Sequence, residues 1–205
     1  MTLSSWLLFL VTEIVLCLTP GPAVLFVFAH GLRYGGRHSL WANLGILSGN
    51  AFYFVVSATG LGMLVSASHT AFTVVKLAGA AYLVYLGVRM MFGSGDAFRS
   101  DPAAPALPGT AILRRGFVLQ AANPKALIFF TALLPQFVTP DAPIAQQMLI
   151  LGLTSTIAEF FVLLMYGYFA AGIAAYAKDE QISRRLNRAA GACLTVCGLS
   201  LAATE

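Results

Sequence analysis

The chain has 205 residues, of which 59% are hydrophobic and 10% charged, with a net charge of +4. A soluble domain carries roughly 25% charged residues, so this composition excludes an ordinary water-facing surface, and the mean hydropathy of +0.81 agrees. The basic surplus lies in loops between apolar runs, where it serves membrane topology and not a nucleic-acid face.

The first apolar run covers about Leu3 to Leu32, with Glu13 inside it and Thr19-Pro20-Gly21-Pro22 near its middle. No basic region or small-residue cleavage pattern precedes it, so it reads as a retained span and not a signal peptide. The second run, about Ser39 to Ala67, carries no charge. The third, about Ala71 to Phe92, has Lys76 near its start. A polar, Pro- and Ala-rich linker follows, from Gly93 to Leu113. The fourth run is about Gly116 to Val138, with Asn123-Pro124-Lys125 inside. The fifth is about Ile144 to Ala177, with Glu159 inside, and the sixth about Leu186 to Ala203. A crossing takes about 20 apolar residues. These lengths and the lack of alternation exclude strands. The predicted fold is all-α and polytopic: six transmembrane helices forming a single transporter domain over residues 1–205.

Basic residues orient the bundle. The loop after the first run holds Arg33 and Arg37. The loop after the third holds Arg89, Arg99, Arg114 and Arg115, and the one after the fifth holds Lys178, Arg184, Arg185 and Arg188. The loops after the second and fourth hold none. The positive-inside rule then puts the odd-numbered loops, including the 93–113 linker, in the cytoplasm and both termini outside. Small residues at four-residue spacing, as in Gly45 and Gly49, allow close helix approach. Internal packing is the favoured reading; a homo-oligomer face is the alternative.

Three ionisable residues lie deep in runs: Glu13, Lys125 and Glu159. Each costs about 2.5–3.5 kcal/mol at a span centre on insertion scales. At 1.5 Å rise per residue, Glu13 lies roughly 12–15 Å from the outer face and Lys125 roughly 14 Å from the inner face. Lys76 and His69 sit nearer the outer interface, where a lysine can snorkel. Pro20, Pro22 and Pro124 interrupt the first and fourth runs, since proline removes a backbone donor and clashes with the preceding turn. A broken helix exposes N–H groups at a partly positive end, a site for a carboxylate. The breaks open the first run of each set of three, one entering from outside and one from inside. That is the pattern of an inverted three-plus-three repeat with broken helices one and four.

Cys17, Cys193 and Cys197 read as packing residues. His30, His38 and His69 are spread over separate loops and form no metal cluster. No nucleophile, phosphate loop or cofactor motif is legible, so no enzyme activity or cofactor is expected.

Several stretches resemble one family in order and spacing. They are Leu18-Thr-Pro-Gly-Pro22, Gly31 to Gly36 leading into Leu44-Gly-Ile-Leu-Ser-Gly49, and Lys76-Leu-Ala-Gly-Ala-Ala-Tyr-Leu-Val-Tyr-Leu-Gly87, then Asn123-Pro-Lys-Ala126 and Leu134-Pro-Gln-Phe137. Together they resemble the LysE/RhtB family of bacterial amino-acid exporters along nearly the whole chain. The resemblance implies export of an amino acid or close derivative across the bacterial inner membrane, driven by the proton gradient. It also implies a transport role for Glu159. Many members carry an acidic residue directly after Thr-Pro-Gly-Pro, where this chain has Ala23; Glu13 is the candidate to supply that charge.

The expected site lies between spans one, four and five. Thr19, Pro20, Gly21, Pro22, Asn123, Pro124 and Lys125 are expected to bind the substrate, with Lys125 and the broken helix ends on its carboxylate. Glu159 or Glu13 is expected to hold its ammonium or the coupling proton. Spans two, three and six read as packing. A passive pore, or a carrier of a metal ion or organic acid, is the alternative.

Overall fold

The computed structural model describes residues 1–58, 69–92, 107–139, 142–174 and 180–203. Helix α1 covers Leu3–Leu18 and starts on Thr2, whose hydroxyl accepts from the Ser5 N–H at 3.2 Å. It stops at Thr19 because Pro20 cannot continue the backbone ladder. Helix α2, Pro22–Tyr34, restarts three residues later with proline at its first position, where no N–H is required. The two axes differ by 54°, so the first apolar run is one broken element. Gly35, at φ +85°, turns the chain into α3, Gly36–Ala58, and only glycine adopts that dihedral without strain.

Helix α4 is His69–Phe92 and α5 is Gly109–Ala121. The short α6, Pro124–Ile128, follows the Asn123–Pro124 break. A π turn at Phe129–Leu133 and a 3₁₀ turn at Leu134–Phe137 complete the fourth run. Helix α7 is Ile144–Gly172 and α8 is Glu180–Ala203.

Two boundaries differ from the expectation. Helix α5 starts at Gly109, inside the stretch read as linker, because Ile112 is fully buried and Gly109 lets the backbone lie against the Trp41 ring. Helix α8 starts six residues before the sixth apolar run, so Arg184, Arg185 and Arg188 belong to its first turns. The end of the second run (59–68) and most of the linker (93–106) fall outside the described residues. The same holds for the side chains of His69, Lys76 and Cys197.

Among the described residues, Gly36–Ser57 and Ile144–Gly172 are long and apolar enough to cross a bilayer, and the α1–α2 pair also qualifies when taken together. Their outer faces suit lipid. On α7, Leu153, Ile157 and Phe161 recur every four residues and are each more than half exposed, while Ser155 and Glu159 face inward. This arrangement is inside-out relative to a soluble protein.

Close helix contacts rest on missing side chains. A Cβ at Gly45 would strike the Leu113 carbonyl, and one at Gly49 would lie 2.7 Å from the Gln120 side chain. The Gly45/Gly49 pair therefore packs α3 on α5 within one chain, as the internal reading expects. Helices α2 and α7 meet at Gly31 and Gly167, and α4 and α8 at Gly87 and Gly191.

The apolar core has a gap in it. One cluster, rich in aromatics, contains Phe9, Tyr53, Leu127, Phe130 and Leu151. A second contains Val24, Val27, Ile46, Leu119 and Leu163. Each of four chain segments passes from one cluster to the other through buried polar residues. Helices α1–α2 run Phe9, Glu13, Val24 and α7 runs Leu151, Glu159, Leu163. Helix α3 runs Ile46, Asn50, Tyr53, and α5–α6 run Leu119, Asn123, Leu127. The first two segments cross in one direction and the last two in the other.

Gly45→Val should lower unfolding stability in detergent by about 1–3 kcal/mol, because overpacking here meets backbone. Leu153→Ala, on the outer face of α7, should change it by no more than about 0.5 kcal/mol. A change in oligomeric state with unchanged melting for Gly45→Val would instead place that pair on a face between copies.

Candidate functional site

The gap between the two clusters is a cavity of about 40 Å³, bordered by both helix breaks. It has room for roughly three waters. Glu13 on α1, Lys125 on α6 and Glu159 on α7 all line it, together with Thr19, Gly21 and Asn123. Pro20, Pro22 and Pro124 are not among the lining residues; they shape the breaks. The aromatic residues Phe52, Tyr82 and Tyr166 do not line it either, and Phe52 is half exposed.

Each buried charge is met by polar groups, as a low-dielectric interior requires. Glu13 Oε1 accepts from the Ser155 hydroxyl at 2.6 Å and from the Cys17 thiol at 3.5 Å. Glu159 Oε2 accepts from Asn50 Nδ2. Asn50 Oδ1 accepts from Gln120 Nε2 at 2.5 Å, and Gln120 Oε1 accepts from Asn123 Nδ2 at 2.8 Å. Glu13 and Glu159 are 4% and 9% exposed, so these donors and the cavity are nearly all that solvates them.

Lys125 does not sit on either carboxylate. Its ammonium donates to the carbonyls of Leu16 and Thr19, the second at 3.4 Å. They lie at the end of α1, where the Leu16 carbonyl otherwise accepts only the Thr19 N–H that it shares with Val15, and where the helix dipole favours a cation. The Tyr166 hydroxyl caps the neighbouring Leu18 carbonyl at 2.9 Å. A side chain from α6 and another from α7 thus close the end that Pro20 leaves open.

The two breaks differ at their restarting ends. Asn123 caps α6 with its own side chain, Oδ1 accepting from the Lys125 N–H at 3.1 Å. Helix α2 has no side-chain cap, because its N-cap residue is Gly21. Pro22 has no N–H, so the uncapped first-turn donors are those of Ala23 and Val24, and both residues line the cavity. The Asn123 side chain thus satisfies the Lys125 N–H of α6, whereas no side chain caps the start of α2.

Sequence reasoning missed Asn50, Gln120, Ser155 and Cys17. Asn50 brings the second run into the site, although that run read as packing. Buried amides within apolar runs are the signal that was available, since such groups demand partners in lipid. Gln120 stands three residues before Asn123, and Ser155 one turn before Glu159, on the same helix faces. Cys17, read as packing, lies one turn after Glu13 and lines the cavity.

The chain matches the family described as LysE type translocator over residues 14–205. It is 35% identical to an uncharacterized membrane protein of Vibrio cholerae serotype O1 over 205 residues, covering all of both chains. It is 32% identical to a homoserine/homoserine lactone efflux protein of Salmonella typhimurium, over 100% of this chain and 99% of that one. A leucine efflux protein of Klebsiella pneumoniae is 31% identical over 76% of this chain and 74% of its own. No solved structure is significantly similar.

Because Lys125 caps α1, Lys125→Met should cost about 1.5–3 kcal/mol of stability, the range for a hydrogen bond to a charged group. Thermal unfolding in detergent measures it. A gain in stability would mean that the lysine is an unpaired burden on the fold.

Proposed function

The chain belongs to the LysE type translocator family, and from that premise we propose that it exports an amino acid or close derivative across the bacterial inner membrane in exchange for protons. The observation that carries this reading is the shared cavity, where two interrupted helices meet two carboxylates and a lysine. An amino acid presents one negative and one positive end. Its carboxylate suits the uncapped N–H groups of Ala23 and Val24, with the Lys125 ammonium beside them. Its ammonium suits Glu159 and Glu13. Homoserine and leucine, named for the relatives, share both ends and differ in side chain, whereas homoserine lactone, named beside homoserine, keeps the amine and carries its carboxyl group as a neutral ring ester.

The same geometry supports the finer topology. In this reading the chain crosses six times, with both termini periplasmic. The opposite directions of α1–α2 and α5–α6 through the site suit an inverted three-plus-three repeat, with spans one and four broken at its axis. Apolar clusters on both sides of the cavity favour a carrier over an open pore, since they require alternate opening. Proton coupling follows if a proton and the substrate ammonium compete for the same carboxylates. Protons then load from outside and are released inside while the substrate moves outward.

Purified protein in vesicles, preloaded with labelled homoserine or leucine and given an inward proton gradient, tests this. Wild type should release at least one of them in a saturable, gradient-dependent way. Lys125→Ala and Glu159→Gln should each lose about tenfold or more in flux, the scale of one charged contact. Equal flux in all three proteins would sink the site assignment, and gradient-independent, unsaturable flux would favour a pore.

A further inference from the structure

Three amides beside the carboxylates form one hydrogen-bond chain whose direction is forced. The Lys125 backbone N–H donates to Asn123 Oδ1 at 3.1 Å, Asn123 Nδ2 to Gln120 Oε1 at 2.8 Å, Gln120 Nε2 to Asn50 Oδ1 at 2.5 Å, and Asn50 Nδ2 to Glu159 Oε2. A backbone N–H can only donate, and an ionised carboxylate can only accept. The two ends therefore fix how each amide between them points. Turning any one over would set donor against donor or acceptor against acceptor. Asn50, Gln120 and Asn123 are 6%, 3% and 3% exposed, so bulk water does not replace a lost partner. Aligned bonds in a low dielectric reinforce one another. The link to the charged acceptor is the strongest.

The chain connects two places with different work. At one end is Glu159. At the other is Asn123, which caps the restart of the fourth run, two residues before the lysine that holds the end of α1. We infer that Asn50, Gln120 and Asn123 are positioning residues that transmit the charge state of Glu159 to the break in the fourth run, and through Lys125 to the end of α1. With Glu159 ionised, every bond is drawn toward a negative charge and the cap on α6 is tight. With Glu159 protonated, the terminal acceptor is neutral and the chain slackens back to the break. The other charged or titratable groups facing Glu159 are Glu13 and Cys17 on α1 and Lys125 on α6. Helix α3 and α5 present the amides, and α2 presents Ala23 and Val24. The purpose of this link rests on the exporter reading, but its test does not use transport.

Cys17 lines the cavity and reports on its opening. The probe is a small maleimide applied to membranes holding the full chain with Cys193 and Cys197 replaced by serine. Its rate at Cys17 is compared between that background and the same chain with Gln120→Met, which cuts the amide chain at similar side-chain volume. Thiol ionisation and Glu13 titration affect both proteins, so they cancel from the ratio. Above the titration of Glu159, Gln120→Met should react about fivefold faster, the scale of the charge-assisted part of one bond. The ratio should fall to one at low pH, where Glu159 is protonated in both. In a Glu159→Gln background, Gln120→Met should change the rate less than twofold at any pH, because the charge to be transmitted is gone. A ratio that stays constant with pH, or an effect that persists in the Glu159→Gln background, would overturn the inference. If Gln120→Met does not reach the membrane, Asn50→Leu cuts the same chain next to Glu159 and is judged by the same ratio. Absence of homoserine or leucine export would defeat the exporter reading while leaving these rates unaffected.

Discussion

The contact on which the rest of the site depends is the one between the Lys125 ammonium and the carbonyls that end α1. Pro20 stops a helix inside an apolar run, and in lipid its last carbonyls have no water to accept from. A cation from a second interrupted helix meets that need. The two defects therefore stabilise each other. The lysine is two residues past Asn123, so the position of one break fixes the other. Once they are joined, α7 can bring Ser155 to Glu13 and Glu159 to Asn50, and the cavity follows from that alignment.

The polar layer also explains why the core is split. Phe9, Tyr53, Leu127 and Leu151 pack on one side of it, and Val27, Ile46, Leu119 and Leu163 on the other. Each of the four segments around the site repeats the sequence apolar, polar, apolar. The polar layer thus lies between two apolar ones, built from residues three to fourteen positions away along the same four segments. The aromatic cluster includes the π turn at Phe129–Leu133, a geometry frequent at functional sites. It is pinned to α3 by Ser57, whose hydroxyl donates to the Phe130 carbonyl at 2.9 Å.

Much of this was legible in the residues. Prolines within long apolar runs announce breaks, and isolated charges in those runs announce a site, because both are costly in hydrocarbon. Those two rules place Glu13, Lys125 and Glu159 around one cavity and find Thr19, Gly21 and Asn123 beside them. What they could not supply is who satisfies whom. Lys125 reads as a partner for a carboxylate until the open end of α1 appears as a nearer acceptor. Asn50 and Gln120 carry no charge, so a search for charges passes over them. Asn123 reads as a free helix end until its own side chain is seen to cap it. Periodicity likewise missed the first turns of α5 and α8, whose polar residues hide helical packing.

The proposed export requires this cavity to recognise both charged ends of an amino acid. Its most direct test is competition against labelled homoserine bound to the purified protein, using 4-hydroxybutyrate, which lacks the ammonium, and 3-aminopropanol, which lacks the carboxylate. Each loss removes a charged hydrogen-bonding group, so both competitors should bind at least about thirtyfold more weakly than homoserine itself. Displacement of the label by either competitor as effectively as by homoserine would mean that the cavity does not bind both ends.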